Sequence, residues 1–334
     1  MGGTALEKLR IGMIGSGGMG RHHAREVLRR DDAIIVAQCD PSDAARQEMR
    51  KVLGPLADSV REYTDYREML EKEDLDAVVV STCHTQHIEH VKASLEKGLH
   101  VLVEKPMCTT AKDARELMEL SEKKNLVLAI AYQRHGDGRF IRARQLIQDG
   151  VIGEIKLIHV IIAQDCLDIF KPGASWRADP ALSGGGHFMD TGSHINDIML
   201  WTTGLEPARV MAFINKYGTL VDVLTAVAIE FTNGAVGDMA FTSLSPEWRE
   251  EFTFYGTEGV MRFGAAEPLM YQRRGEDGVL PRPAPGGKPP LQNFINAIQG
   301  KEPVQAPPIC GLRVAQLTEA AYKSAESGKP EPVG

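Results

Sequence analysis

The sequence predicts an α/β fold: an N-terminal half built on a doubly wound, mainly parallel sheet, and a C-terminal half carrying a mostly antiparallel sheet. Three observations predict it. Short apolar runs alternate with helical spacing through residue 131, a glycine-rich turn joins the first run to the first helix, and past residue 150 the runs follow one another across tight turns.

The first runs are Leu9–Ile14, Ile34–Cys39, Ala77–Ser81, Val101–Glu104 and Val127–Ala131. Rich in Val, Ile and Leu, they read as strands covered on both faces. Between them, Met19–Arg30, Ser42–Leu53, Tyr66–Lys72, Thr85–Lys97 and Ala111–Lys124 keep helical spacing, which makes the units βαβ. The polar, glycine-containing stretch after Ala131 breaks this rhythm, so the expected domains are 1–131 and 132–334. Arg139–Asp149 then reads as a bridging helix. Strands are expected at Ile155–Ala163, Arg209–Ile214, Ala226–Phe231, Val236–Phe241, Glu251–Tyr255 and Val260–Phe263, several joined by Asn-Gly or Glu-Gly turns. Pro281–Pro290 lacks the donors of a core strand and is expected to be a surface loop, with helices resuming at Leu291–Gln299 and Leu312–Ser327.

A chain of 334 residues, 43% apolar and 25% charged, has material for two cores. Its net charge of −7, with Lys and Arg dispersed, offers no basic stripe for nucleic acid. The five cysteines lie far apart and read as reduced thiols. No apolar run approaches the roughly 18 residues of a membrane span. Met1–Leu9 carries no signal pattern, and the expectation is a cytoplasmic protein with neither membrane nor nucleic-acid partner.

The glycine turn is Gly15-Ser16-Gly17-Gly18-Met19-Gly20, set between a strand and a helix. Gly15 permits the tight turn, Gly17 lets backbone approach a pyrophosphate, and Gly20 permits close helix–strand packing, while the helix start offers free N–H groups to the anion. A plain structural turn is the alternative, but the strand–turn–helix context favours a dinucleotide on a Rossmann domain. Asp40 ends the second strand 20 residues after Gly20, where its carboxylate can accept from a ribose diol and repel a 2′-phosphate, which favours NAD while leaving NADP open. Its plainer reading is an acid opening the Asp40-Pro41 turn.

A nicotinamide enzyme must hold its substrate and manage the proton that accompanies a hydride. Glu104-Lys105-Pro106 stands at the carboxyl end of a strand, where open α/β sheets bind ligands, and Lys105 can donate to a substrate oxygen. A solvated strand-end lysine is the alternative. A second constellation follows Gly184-Gly185-Gly186: His187, Asp190, His194 and Asp197, with the last three on one face if a helix begins there. A carboxylate so placed can orient an imidazole and stabilise its protonated form, although a capped helix with a polar face has the same spacing. His187, Asp190 and His194 are also metal-ligand types, but no further ligand signal accompanies them and no metal is assigned. His22, His23 and His100 are expected to pack or face solvent.

The glycine fingerprint, Glu104-Lys105-Pro106, Ser175-Trp176-Arg177 and Gly184-Gly185-Gly186…Asp190-x-Gly192-x-His194 together resemble the Gfo/Idh/MocA family over essentially the whole chain. The resemblance implies a second domain with a large open sheet whose outer face mediates dimers or tetramers. It implies that Lys105, Asp190 and His194 are catalytic: His194 exchanging the hydroxyl proton, Asp190 supporting the site, Lys105 holding substrate. Ser16, Gly18 and Met19 with the three fingerprint glycines, Ser81, His84, His87, Glu104 and Lys105 fall to the cofactor, and Arg134, Trp176, Arg177 and His187 to the substrate. Where the family commonly has Pro-Asn in the loop on the nicotinamide side, this chain has Cys83-His84 before the matching His87. The implied activity is NAD-dependent oxidation of a secondary alcohol on a sugar, sugar acid or cyclitol. A lyase, epimerase or glycoside-cleaving enzyme with recycled NAD, and a non-catalytic nicotinamide sensor, are the alternatives.

Overall fold

A computed structural model describes residues 8–334. The leader-free reading of Met1–Leu9 falls largely on residues 1–7, outside the described part. The chain divides into two compact units that interleave in sequence: among the described residues, one comprises 8–108, 112–132 and 288–309, the other 109–111, 133–287 and 310–334.

The first unit is a six-stranded parallel sheet in the order β3-β2-β1-β4-β5-β6, from Leu9–Ile14 (β1), Ala33–Cys39 (β2), Arg61–Tyr63 (β3), Ala77–Val80 (β4), His100–Val103 (β5) and Leu128–Ile130 (β6). The order reverses between β1 and β4, the switch point at which doubly wound sheets take up ligands. All four residues of β4 are fully buried, as a strand covered on both faces requires. Side chains start the helices: Ser42 accepts from Ala45 N–H ahead of Asp43–Leu53, and Asp65 accepts from Arg67 N–H ahead of Tyr66–Lys72. The helix Pro290–Ile298, late in sequence, belongs to this unit, with Leu291, Phe294 and Ile295 fully buried in the core around Ile11 and Leu102. β3 escaped the sequence reading because a three-residue edge strand needs only one buried anchor, Tyr63, and shows no apolar run.

The second unit is an eight-stranded sheet in the order β13-β12-β11-β7-β10-β9-β8-β14. Its strands are Ile155–Asp165 (β7), Pro207–Asn215 (β8), Leu224–Phe231 (β9), Val236–Thr242 (β10), Leu244–Gly256 (β11), Gly259–Gly264 (β12), Met270–Arg273 (β13) and Glu331–Pro332 (β14). Only β7 and β10 pair in parallel; every other neighbour is antiparallel. The β9–β10 hairpin turns at Asn233-Gly234, where Gly234 has φ +80° and Asn233 accepts from Ala235 N–H. One sheet face packs on the helices His187–Thr203 and Pro308–Ser327 through Phe188, Phe241, Phe252, Phe254 and Phe263. The register aligns Phe213, Ala226, Ala240, Ile161 and Glu251 across the opposite face, and Tyr255, Leu157 and Val236 further along it. No described helix is long and apolar enough to cross a membrane.

Candidate functional site

The glycine turn of the first unit is built for close approach. A Cβ on Gly20 would lie 2.0 Å from the Gly15 carbonyl oxygen, and Gly15 itself has φ +97°. At Gly17 and Gly18 a Cβ would meet nothing, so the backbone there faces open space. No side chain caps the helix Gly18–Val27, which leaves its first-turn N–H groups directed outward at the positive end of the helix dipole. Open glycine backbone, uncapped donors and a nearby acid fit the pyrophosphate and ribose of a dinucleotide. Asp40 accepts from Ser16 N–H (2.9 Å) and Ser42 N–H (2.9 Å), which orients its carboxylate beside the turn with lone pairs to spare. Arg46 donates to the Asp40 carbonyl (2.6 Å) and to Asp43 (3.0 Å), so its guanidinium is held by backbone and a neighbouring acid.

Several other cofactor candidates turn inward. Ser16 is fully buried, with its N–H given to Asp40 and its hydroxyl to Gln38 (2.9 Å), leaving neither donor for a phosphate. His87 is fully buried; Nδ1 lies 2.7 Å from the Pro106 carbonyl and Nε2 3.1 Å from that of Thr82. Burial keeps its pKa below the usual histidine value, and the ring pins the loop to the Lys105-Pro106 segment. The His84 ring is also buried, 6.0 Å from that of His87. Ser81 Oγ is buried, with no hydrogen-bond partner among the described residues, beside the backbone that Gly15 approaches. Glu104 is turned inward: its Oε1 lies 2.8 Å from His23 Nε2 and its Oε2 accepts the Lys105 N–H at 3.2 Å. Lys105 follows at the exit of β5, half-buried.

In the second unit the constellation starts the helix His187–Thr203. Its capping group comes from far away: Asp222 accepts from Gly186 N–H and Phe188 N–H, both at 2.7 Å, while Tyr322 OH donates to it at 2.6 Å. The glycines are demanded by this packing. A Cβ on Gly186 would sit 1.9 Å from the Asp222 carbonyl oxygen, and one on Gly185 would sit 2.3 Å from the Tyr322 hydroxyl. Sequence reading missed Asp222 because its only signal is spatial.

Trp176, Arg177 and Asp190 come together. Arg177 Nε donates to Asp190 Oδ2 at 2.7 Å, and its guanidinium stacks 4.5 Å from the Trp176 ring. His194 follows Asp190 by one helical turn and is half-buried. His187 is fully buried among Phe170 and Phe241, with Nε2 2.8 Å from Gln164 Oε1. The Asp197 carboxylate, also buried, pairs with His135 at 2.8 Å. Arg134, a candidate for the substrate side, forms an ion pair with Glu250 at 2.8 Å.

Residues 9–132 match the GFO/IDH/MocA model described as an oxidoreductase family with an NAD-binding Rossmann fold, and residues 140–262 match a GFO/IDH/MocA C-terminal domain. The chain is 28% identical to the D-glucoside 3-dehydrogenase of Escherichia coli, covering 96% of each protein. It is 29% identical to the myo-inositol 2-dehydrogenase of Thermotoga maritima, over 69% of this chain and 67% of that one. With the rhizopine catabolism protein MocA of Rhizobium meliloti it shares 30% identity over 63% of its length, spanning 62% of that relative. In fold it matches the WlbA dehydrogenase from Bordetella pertussis, solved with NADH and UDP-GlcNAcA, at a TM-score of 0.86 and 24% identity over 98% and 99% of the two chains.

Proposed function

The chain belongs to the GFO/IDH/MocA oxidoreductase family, and from that premise we propose that it oxidises a secondary alcohol of a sugar, sugar acid or cyclitol, reversibly, with NAD. The observation that carries this reading is the placement of Lys105 at the exit of β5 in the same unit as the uncapped glycine cradle, at the strand ends where doubly wound sheets bind ligands. The relatives' names, a glucoside and an inositol dehydrogenase, point to the same polyol chemistry.

Bound NAD supplies the hydride acceptor. Gly17, Gly18 and Met19 hold its pyrophosphate with backbone N–H groups, and Asp40 accepts from the adenosine ribose. Lys105 donates to the substrate oxygen and stabilises negative charge as it develops there. His194 takes the hydroxyl proton in the oxidative direction and returns it in the reductive one. Asp190, fixed by Arg177, orients the polar face from which His194 projects, and Arg177 on Trp176 offers a flat cationic surface to hydroxyl groups.

A spectrophotometric screen of NAD reduction over sugars, cyclitols and sugar acids, repeated with NADP, tests substrate class and cofactor together. Lys105→Met should lower turnover at least ~100-fold, the scale of a lost proton-handling group, with NAD affinity nearly unchanged; wild-type turnover in that variant refutes the role. Cofactor that copurifies and is not consumed would instead mark a recycled redox use.

The outer face of the second unit's sheet is the oligomer contact in this reading. It exposes Phe213 at 69% and, further along, Val236 at 51% beside the exposed Leu157 and Tyr255, an apolar group on one face of the kind that marks contact surfaces. Phe213→Glu should shift the mass measured by light scattering towards the monomer.

A further inference from the structure

His23 lies three residues after Gly20 on the cradle helix, and its ring is buried, at 2% exposure. Each ring nitrogen faces a carboxylate: Nε2 is 2.8 Å from Glu104 Oε1, and Nδ1 is 3.4 Å from Glu26 Oε2. Two carboxylates, one at each nitrogen, favour the imidazolium, the only form of the ring that donates from both. The second oxygen of Glu104 accepts the backbone N–H of Lys105, and the Glu104 N–H donates to the Val80 carbonyl at 2.9 Å. A continuous chain of contacts thus runs from the cradle helix through His23 and Glu104 to the peptide that carries Lys105.

We propose that His23 is a positioning residue which, through Glu104, ties the dinucleotide cradle to Lys105, so that the cofactor's phosphates and the substrate-holding amine keep one fixed relation. The inference rests on the role proposed above for Lys105. A buried ion pair is a poor device for stability alone, because two charges lose their hydration and apolar residues of similar volume do as well or better. What it supplies is direction: a charge-assisted bond at 2.8 Å fixes the Glu104 carboxylate, and with it the Lys105 backbone, more narrowly than apolar contact can. A loosely held Lys105 would still bind substrate but would meet the reacting oxygen in the wrong geometry, an error to which turnover is far more sensitive than binding.

The test separates positioning from packing. His23→Leu alone leaves Glu104 buried without its partner and should lower both the melting temperature and turnover. The double variant His23→Leu/Glu104→Met removes both charges together, and its melting temperature should return close to that of the wild type. If the link positions Lys105, kcat in the double variant stays at least tenfold low, with the Kd for NAD within threefold of wild type. Wild-type kcat in the refolded double variant overturns the proposal and leaves the pair a packing device. Lys105→Met, run beside it, keeps the two readings apart: full turnover there defeats the role of Lys105 itself. A readout independent of turnover is the NMR signal of Lys105 Nζ in protein labelled with 15N-lysine. Adding NAD should shift it in the wild type and leave it nearly unmoved in the double variant; equal shifts overturn the coupling.

Discussion

In the nucleotide-binding unit the cradle is made by six consecutive residues, Gly15 to Gly20, whereas in the second unit the helix bearing Asp190 and His194 begins on contacts supplied by Gln164, Asp222 and Tyr322. Both depend on glycines that let backbone come within van der Waals distance of backbone. The partner differs: Gly20 meets the Gly15 carbonyl, five residues away, but Gly186 meets that of Asp222, 36 residues away. A motif closed by its own chain neighbours is portable and readable; one closed by distant elements is a product of the folded core. Two buried histidines, one from each unit, also differ in charge. His23 sits between two carboxylates, while His187 sits among phenyl rings with a single amide oxygen.

The sharpest break of this comparison is to put the same methyl group at both close approaches. Gly20→Ala and Gly186→Ala each force a Cβ against a carbonyl oxygen at about half its contact distance, which should cost roughly 3 kcal/mol or more. Gly20→Ala should abolish measurable NAD binding by calorimetry, while Gly186→Ala should appear first as a lowered unfolding midpoint. If both variants lost only stability, the cradle would be a mere turn.

The opposed histidines predict opposed pH limbs. Burial holds His187 down to about 4, so between pH 6.5 and 4 the unfolded chain binds a proton that the folded one refuses, and stability falls as pH drops through that window. His90, buried and also held near 4, shares the effect. For His23, burial opposes protonation most strongly, but Glu104 and then Glu26 outweigh it and raise the pKa to about 9. Its contribution is therefore complete below pH 6.5 and is lost as pH rises through 9. Urea midpoints across pH should show His187→Asn flattening only the acid limb, by up to about 3 kcal/mol at pH 4, and His23→Leu only the alkaline one. An unchanged acid limb in His187→Asn would mean that the ring charges freely in the folded state.

Asp222→Ala removes an acceptor of two backbone N–H groups and the Tyr322 hydroxyl, and should lower unfolding free energy by about 2 kcal/mol, with less effect on NAD affinity than any cradle variant. The smallest effect belongs to Asp40→Ala: NAD binding should weaken about tenfold and the preference over NADP should narrow, because the repulsion of a 2′-phosphate goes with the carboxylate. Unaltered discrimination would place cofactor choice elsewhere.

The sequence was legible wherever period or turn chemistry is local. It placed β1 and the helices Tyr66–Lys72 and Ala111–Lys124 at their observed bounds, and it located the Asn233-Gly234 hairpin. It also identified Lys105, Asp190 and His194 as candidates through the spacing of their motifs. It missed β3, whose polar edge carries no pattern, and it did not foresee that Ser16, Glu104 and His187 are buried.

Alone, then, the amino-acid sequence determined the α/β class, the glycine cradle and the acid at the end of β2, because these follow from backbone sterics and hydrophobic period within a few residues. Only the tertiary structure decided which polar groups are spent on one another: the side chains of Ser16 on Gln38, His23 on Glu104, Arg134 on Glu250 and Asp197 on His135, and the Gly186 N–H on Asp222. The physical reason is that a buried polar group must find a partner, and between 22 and 116 residues separate the members of these pairs, a range over which the sequence carries no period to announce them.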